Sequence, residues 1–207
     1  VIEAVTREDR ELGLLTAIGA SLGSALEPEA FFQRTMEILA SELGMIRCTI
    51  VLLDRASDRL RIAAAHGLTE QERLRGDYAV GEGITGRVVQ TGRPEVVPDI
   101  RDDPRFLDRT NARKSEKDQP IAFICVPVKV DDEVVGAVSA DRTFASQTTL
   151  DKDLRLLTIV ASTVAQVLKI NRMVQVEKEQ ILARDRKAMQ ELRSKYRIEH
   201  VVGQSAV

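Results

Sequence analysis

The sequence predicts an α+β domain, a central and mostly antiparallel sheet flanked by helices, with a long helix at its C-terminal end. Two pairs of short runs rich in β-formers, residues 48–53 with 60–65 and residues 121–130 with 133–141, are each joined by a polar turn and read as hairpins. Helical periods come in blocks near the two ends rather than alternating with single strands, which argues against βαβ units. From Leu150 onward no Gly or Pro occurs until Gly203, far beyond the roughly 8 to 20 residues of an ordinary globular helix.

Each element has its own local reason. Thr6 with Asp9 three residues on has the spacing of an N-cap, and Leu12, Leu15, Gly19, Leu22 and Leu26 recur along one face, which predicts a helix over 7–25. Pro28 suits a first helical turn, Phe31, Phe32, Thr35, Met36, Leu39 and Leu43 keep helical spacing, and Gly44 suits the position just past the end. The first hairpin follows. A short polar helix is expected over 70–75 and another over 84–91, capped by Gly92. Val96 and Val97 lie between Pro94 and Pro98, so they can form only a brief or edge strand. Residues 99–120 are polar and aperiodic, a long functional or mobile loop. The second hairpin, turning at Asp131-Asp132, leads into the last helix.

Composition sets limits on function. With 207 residues, 43% hydrophobic and 30% charged, the chain suits one globular domain plus an extension. No apolar run approaches the roughly 20 residues needed to cross a bilayer, so no membrane association is expected. The chain starts at Val1 and shows no signal-peptide order, and it is read as an internal fragment of a cytoplasmic protein. Cys48 and Cys125 suit two buried reduced thiols. A net charge of −2 from 30 basic and 32 acidic side chains attracts no phosphate backbone, so nucleic-acid contact by this segment is not expected.

Enzymatic chemistry lacks its parts. His66 and His200 are the only histidines, and they sit in different segments, so neither a His-rich metal site nor a Ser-His-Asp set is expected. Gly81-x-Gly83-x-x-Gly86 spells a dinucleotide fingerprint without the βαβ unit that would give it meaning, and its glycines are read as serving a tight turn and a close helix approach. No Gly-x-x-x-x-Gly-Lys-Ser/Thr phosphate loop is present, so this segment should not hydrolyse ATP.

The stretch from Gly81 to Ile100, with Arg105-Phe-Leu-Asp-Arg-Thr, Phe123-Ile-Cys-Val-Pro-Val and Val134-Val-Gly-Ala-Val-Ser-Ala-Asp-Arg, resembles the GAF sensory domain. More narrowly, it resembles the GAF domains that open sigma-54-dependent transcription activators of the nitrogen-fixation, NifA-like type. The resemblance covers about residues 8 to 170 and implies a sheet of about six strands. Tyr196-Arg-Ile-Glu-His-Val-Val-Gly-Gln-Ser-Ala resembles the start of such an activator's AAA+ ATPase domain. The implied organisation is a GAF domain over 1–169, a helical, coiled-coil linker over 170–195 and the start of the ATPase domain over 196–207. By the same resemblance the full protein works with sigma-54 RNA polymerase.

The GAF resemblance also implies a small-molecule pocket on the sheet face opposite the terminal helices. Its lid maps to residues 84–110, and its floor to Phe123 and Cys125 with Ser139 and Asp141 on the next strand. Asp99, Arg105, Arg109, Arg113 and Arg142 are candidate polar contacts, because an arginine fork can grip a carboxylate or phosphate with two hydrogen bonds. That chemistry suits 2-oxoglutarate or a cyclic nucleotide. The cyclic-nucleotide subfamily carries Asn-Lys where Asp141-Arg142 stands here, and Phe144 lacks its following acidic pair, which leaves 2-oxoglutarate ahead. Free methionine sulfoxide reductases, also GAF proteins, imply clustered cysteines, and bilin-binding members imply Cys followed by His; Cys125 is followed by Val126.

A homodimer is the expected assembly. Leu12, Leu15, Leu22, Leu154, Leu157, Ala161, Val164 and Leu168 are the candidate interface. Heptad positions Leu154, Ala161, Leu168, Gln175, Leu182, Met189 and Tyr196 form one seam line, with Leu157, Val164, Asn171, Lys178, Asp185 and Leu192 on the other. The seam is polar in its middle, so a coiled coil there would be locally weak, and a solvated single helix is the alternative. By the same resemblance the expected effector is a small molecule or an inhibitory regulatory protein; the alternative is a domain that binds no metabolite and serves only as a dimerisation hub or docking surface for an inhibitory partner of the NifL type.

Overall fold

Thr6 opens the first helix as its spacing predicts: its hydroxyl accepts from the Asp9 amide at 3.2 Å, and the Asp9 carboxylate accepts from the Thr6 amide at 2.9 Å. The computed structural model describes residues 6–113 and 119–199. The chain divides into two units, Val1–Leu168 and Lys169–Val207. Helix α1 spans Arg7–Ser21, and its last turn tightens into a 3₁₀ turn over Leu22–Ser24. Helix α2 spans Pro28–Leu43 and stops at Gly44, whose φ of 65° is the left-handed conformation glycine tolerates.

Among the described residues the sheet holds six strands. They are β1 Arg47–Asp54, β2 Arg59–His66, β3 Asp77–Ala79, β4 Glu95–Val97, β5 Ile121–Val130 and β6 Glu133–Thr143, in the order β3-β2-β1-β6-β5-β4. Every neighbouring pair among them is antiparallel. Helix α3, Glu70–Arg75, is closed by a second capping box, between Thr69 and Glu72, and α4 covers Gly83–Thr91. Strand β3 was not foreseen. Its three residues pair with Arg59–Arg61 at the edge of the sheet, too short a stretch to leave a period.

Alternation along β5 assigns the two faces of the sheet. Ala122, Ile124, Val126 and Val128 join the core with α1, α2 and the start of the last helix, whereas Phe123 and Cys125 join a smaller core with α4. The last helix, α5, spans Gln147–Glu199. Within the first unit Leu150, Leu157, Val160, Ala161, Val164 and Val167 line one buried stripe against the sheet.

That stripe corrects part of the expected interface. Leu157, Ala161 and Val164 are 0–2% exposed within the single chain, so they fill its own core and are not left for a second copy. Leu154 and Leu168 sit at the core margin. Helix α1 buries Leu14 and Ile18 instead of the predicted stripe, and Leu12, Leu15 and Leu22 face outward at 67%, 37% and 41% exposure. A helix with apolar residues on two faces can bury only one of them inside a single domain. In the second unit residues 172–194 are exposed throughout, Leu182, Met189 and Leu192 included. Residues 200–207, most of the expected ATPase start, lie outside the described residues.

Candidate functional site

Strand register builds the site. Arg47 on β1 stands opposite Asp141 on β6, which stands opposite Phe123 on β5; Thr49, Ser139 and Cys125 form the next row on the same face. Antiparallel pairing puts the side chains of such a row side by side. The floor thus combines a cation, a carboxylate, two hydroxyls and an aromatic ring, and Thr49 and Ser139 share a hydrogen bond of 2.7 Å.

Asp141 is the centre of this floor, 1% exposed. Its Oδ2 accepts from Arg47 Nε at 2.9 Å and from Arg113 Nε at 2.8 Å, and its Oδ1 accepts from Arg113 Nη2 at 3.0 Å. The Arg113 fork therefore grips the carboxylate with two parallel bonds, the strongest geometry for such a pair. Arg113 Nη1 donates to Asp108 Oδ1 at 2.8 Å and to the Thr110 hydroxyl at 3.1 Å. Its guanidinium lies 4.7 Å over the Phe106 ring, which meets Phe123 edge-on at 5.2 Å. Arg75 donates twice to the Thr110 carbonyl and fixes the covering segment from the side of α3. Burial works to lower the Arg113 pKa, but the Asp141 and Asp108 carboxylates outweigh it and hold the guanidinium above its ordinary value. Burial also raises the Tyr78 hydroxyl, with Arg113 partly opposing it.

The cavity above this floor is lined by Arg47, Thr49, Tyr78, Ile84, Thr85, Phe106, Asp108, Thr110, Arg113, Phe123, Ser139 and Asp141, among others. Its free space is small, about 30 Å³, against the roughly 10 to 15 Å³ that a single buried water needs. Glycines shape its rim. Gly81 and Gly83 have φ of 85° and 63°, and a Cβ on Gly86 would collide with the Ala79 carbonyl oxygen. The fingerprint-like spacing thus serves a turn and a close approach of α4 to β3.

Of the candidate contacts, Arg113, Phe123 and Asp141 meet in this pocket, with Ser139 beside them. Cys125 lies on the same face but beneath the lining, where burial pushes its thiol up to about 12. The remaining candidates are placed elsewhere. Asp99 lies beside edge strand β4 and is chelated by Arg101; Arg109 pairs with Glu82; Arg105 joins Asp103 to Glu95. Arg142 falls on the opposite face because it directly follows Asp141 in an extended strand, and there it donates to Asp153 of α5 at 2.5 Å. The predicted lid holds at its two ends, α4 and residues 106–110, while its middle is edge strand and surface turn. Arg47, Tyr78 and Asp108 escaped the sequence reading. Arg47 could have been found by treating the first residue of β1 as a partner for the last residues of β6.

Cys48 packs with the helices and Cys125 with the pocket side, so the two thiols occupy opposite faces. No group of three or more His, Cys, Asp or Glu side chains able to hold a metal occurs among the described residues. None of the described helices is long and apolar enough to cross a membrane.

The GAF domain family model matches residues 27–168. The Nif-specific regulatory protein of Herbaspirillum seropedicae is 34% identical over 194 residues, which cover 93% of this chain and 36% of that protein. The nitrogen fixation protein VnfA of Azotobacter vinelandii is 34% identical over 171 residues, 82% of this chain and 33% of that protein. The chain thus spans about a third of the length of these relatives. Among solved structures, the GAF domain of A. aeolicus nlh2 in an inactive state superposes with a TM-score of 0.70 and 25% identity, covering 80% of this chain and 99% of that one.

Proposed function

This chain belongs to the GAF family, and from that premise we propose that it is the regulatory domain of a sigma-54-dependent transcription activator of the nitrogen-fixation type. The observation that carries the regulatory reading is the division of the sheet: a charged, covered pocket on one face and the terminal helices on the other, joined through β6. Its similarity to Nif-specific regulatory proteins supports the transcriptional setting. The domain is non-catalytic. Ligand binding at the Asp141 face reorders the covering segment, shifts α1 and α5, and sets the activity of an AAA+ ATPase that follows residue 195. Such coupling requires the effector to bind two states unequally. Leu12, Leu15 and Leu22, exposed on α1, with Leu154 and Leu168 at the margin, supply the apolar surface of a homodimer, and residues 170–195 extend it as a helical linker.

A second reading is favoured by the small free space. A pocket of about 30 Å³ suits a domain that binds no metabolite and serves as a docking module for an inhibitory partner protein. Calorimetric titration with 2-oxoglutarate, cyclic GMP and cyclic AMP tests the anionic effectors. Heat and thermal stabilisation with one of them support sensing, silence with all three removes an anionic effector, and silence with every small molecule tried leaves docking. Light scattering, with and without residues 170–207, tests the dimer; a monomer in both at high concentration removes it.

A further inference from the structure

We propose that the pocket is built for a flat cation, a ligand whose guanidinium or amidinium group seats on Asp141 in the place Arg113 now holds. This inference rests on the sensory reading above and narrows its ligand class. The Arg113 side chain is a tethered occupant. It fills the cavity down to about 30 Å³, grips both oxygens of a buried carboxylate and lies against an aromatic ring.

An incoming anion finds no open cation. With Arg113 in place there is no room for a dicarboxylate. With Arg113 withdrawn, Asp108 and Thr110 go with it as part of the same segment, and the floor keeps Arg47 already paired to Asp141. That floor has no surplus positive charge. What it does have is a buried Asp141 Oδ1 that has lost its Arg113 donor, and an uncompensated buried carboxylate oxygen is costly. The replacement must therefore bring N–H donors and positive charge. It must also be planar, to keep the parallel two-bond geometry on Asp141. Exchange of one guanidinium for another frees Arg113 and Asp108 of the covering segment, so occupancy and release of that segment become the same event.

The test is calorimetric titration of the full chain and of Arg113→Ala with agmatine, putrescine and 2-oxoglutarate. Removing the internal competitor should tighten agmatine binding about tenfold or more. Putrescine, which lacks the flat group, should bind far more weakly, and Asp141→Asn should abolish agmatine binding. If Arg113→Ala does not fold, the unaltered protein still decides: millimolar agmatine, but not putrescine, should speed trypsin cleavage after Arg109 and Arg113. Tighter binding of 2-oxoglutarate than of agmatine overturns the flat-cation inference while leaving the sensory reading intact. Silence of every compound in titration and proteolysis overturns both.

Discussion

Asp141 and Arg142 are consecutive residues of β6, and their charged ends lie on opposite faces of the sheet. Asp141 closes the pocket with Arg47 and Arg113, whereas Arg142 reaches through to Asp153, a fully buried carboxylate on α5 that also accepts from Arg7 of α1 at 2.6 Å. One short stretch of strand thus anchors both the covering segment and the two helices of the proposed output.

Removing either carboxylate should be costly, because each is itself buried and accepts charge-assisted hydrogen bonds from two arginines. Asp141→Asn and Asp153→Asn should each lower stability by about 3 kcal/mol in urea unfolding. Since the pairs share β6, the double variant should depart from additivity by about 0.5 kcal/mol or more. Strict additivity would remove the strand as a link between the two faces.

Leu157 and Leu12 should behave differently. Leu157→Ala deletes a fully buried side chain of the internal core and should cost about 2 to 5 kcal/mol in thermal or urea unfolding. Leu12→Ala removes an exposed one, so its effect should fall on self-association measured by light scattering, with monomer stability changed by less than about 0.5 kcal/mol.

Gly136→Ala should disturb the sheet more than its size suggests. A Cβ there would collide with the Val51 carbonyl oxygen across the β1–β6 pairing, and backbone cannot step aside as a side-chain tip can. A loss of about 1 to 3 kcal/mol is expected, read as a lower urea midpoint.

Both thiols should resist alkylation in the folded chain at pH 8 and react once it is unfolded. Burial penalises the thiolate, raising Cys48 and pushing Cys125 up to about 12. The sign for stability follows. The folded state keeps a proton the unfolded thiol gives up, so stability falls as pH climbs from the ordinary thiol value toward about 12. Rapid labelling of the native protein by iodoacetamide would contradict this placement.

Much of the fold was legible locally. Thr6 with Asp9, Gly44, Gly92 and the two hairpins are set by capping, left-handed backbone and period-two patterning, all short-range effects. Alternation along β5 was enough to separate Phe123 and Cys125 from Ile124 and Val126. Along α1 the spacing marked the outward leucines and passed over Leu14 and Ile18, which the domain buries, because spacing records that a face is apolar, not which apolar face the domain covers.

By itself the sequence determined every element but β3, their order along the chain and the two-faced character of the sheet, since caps, turns and periodicities act within a few residues. Tertiary structure alone decided the chemistry of the pocket. Asp141 meets Arg47 across 94 positions and Arg113 across 28, distances over which only strand register and the path of the covering segment choose partners. Five candidate charged residues looked equivalent along the chain. Burial separated them, giving Arg113 a carboxylate in the pocket, sending Arg142 to the helix face and leaving Asp99, Arg105 and Arg109 in pairs outside the pocket lining.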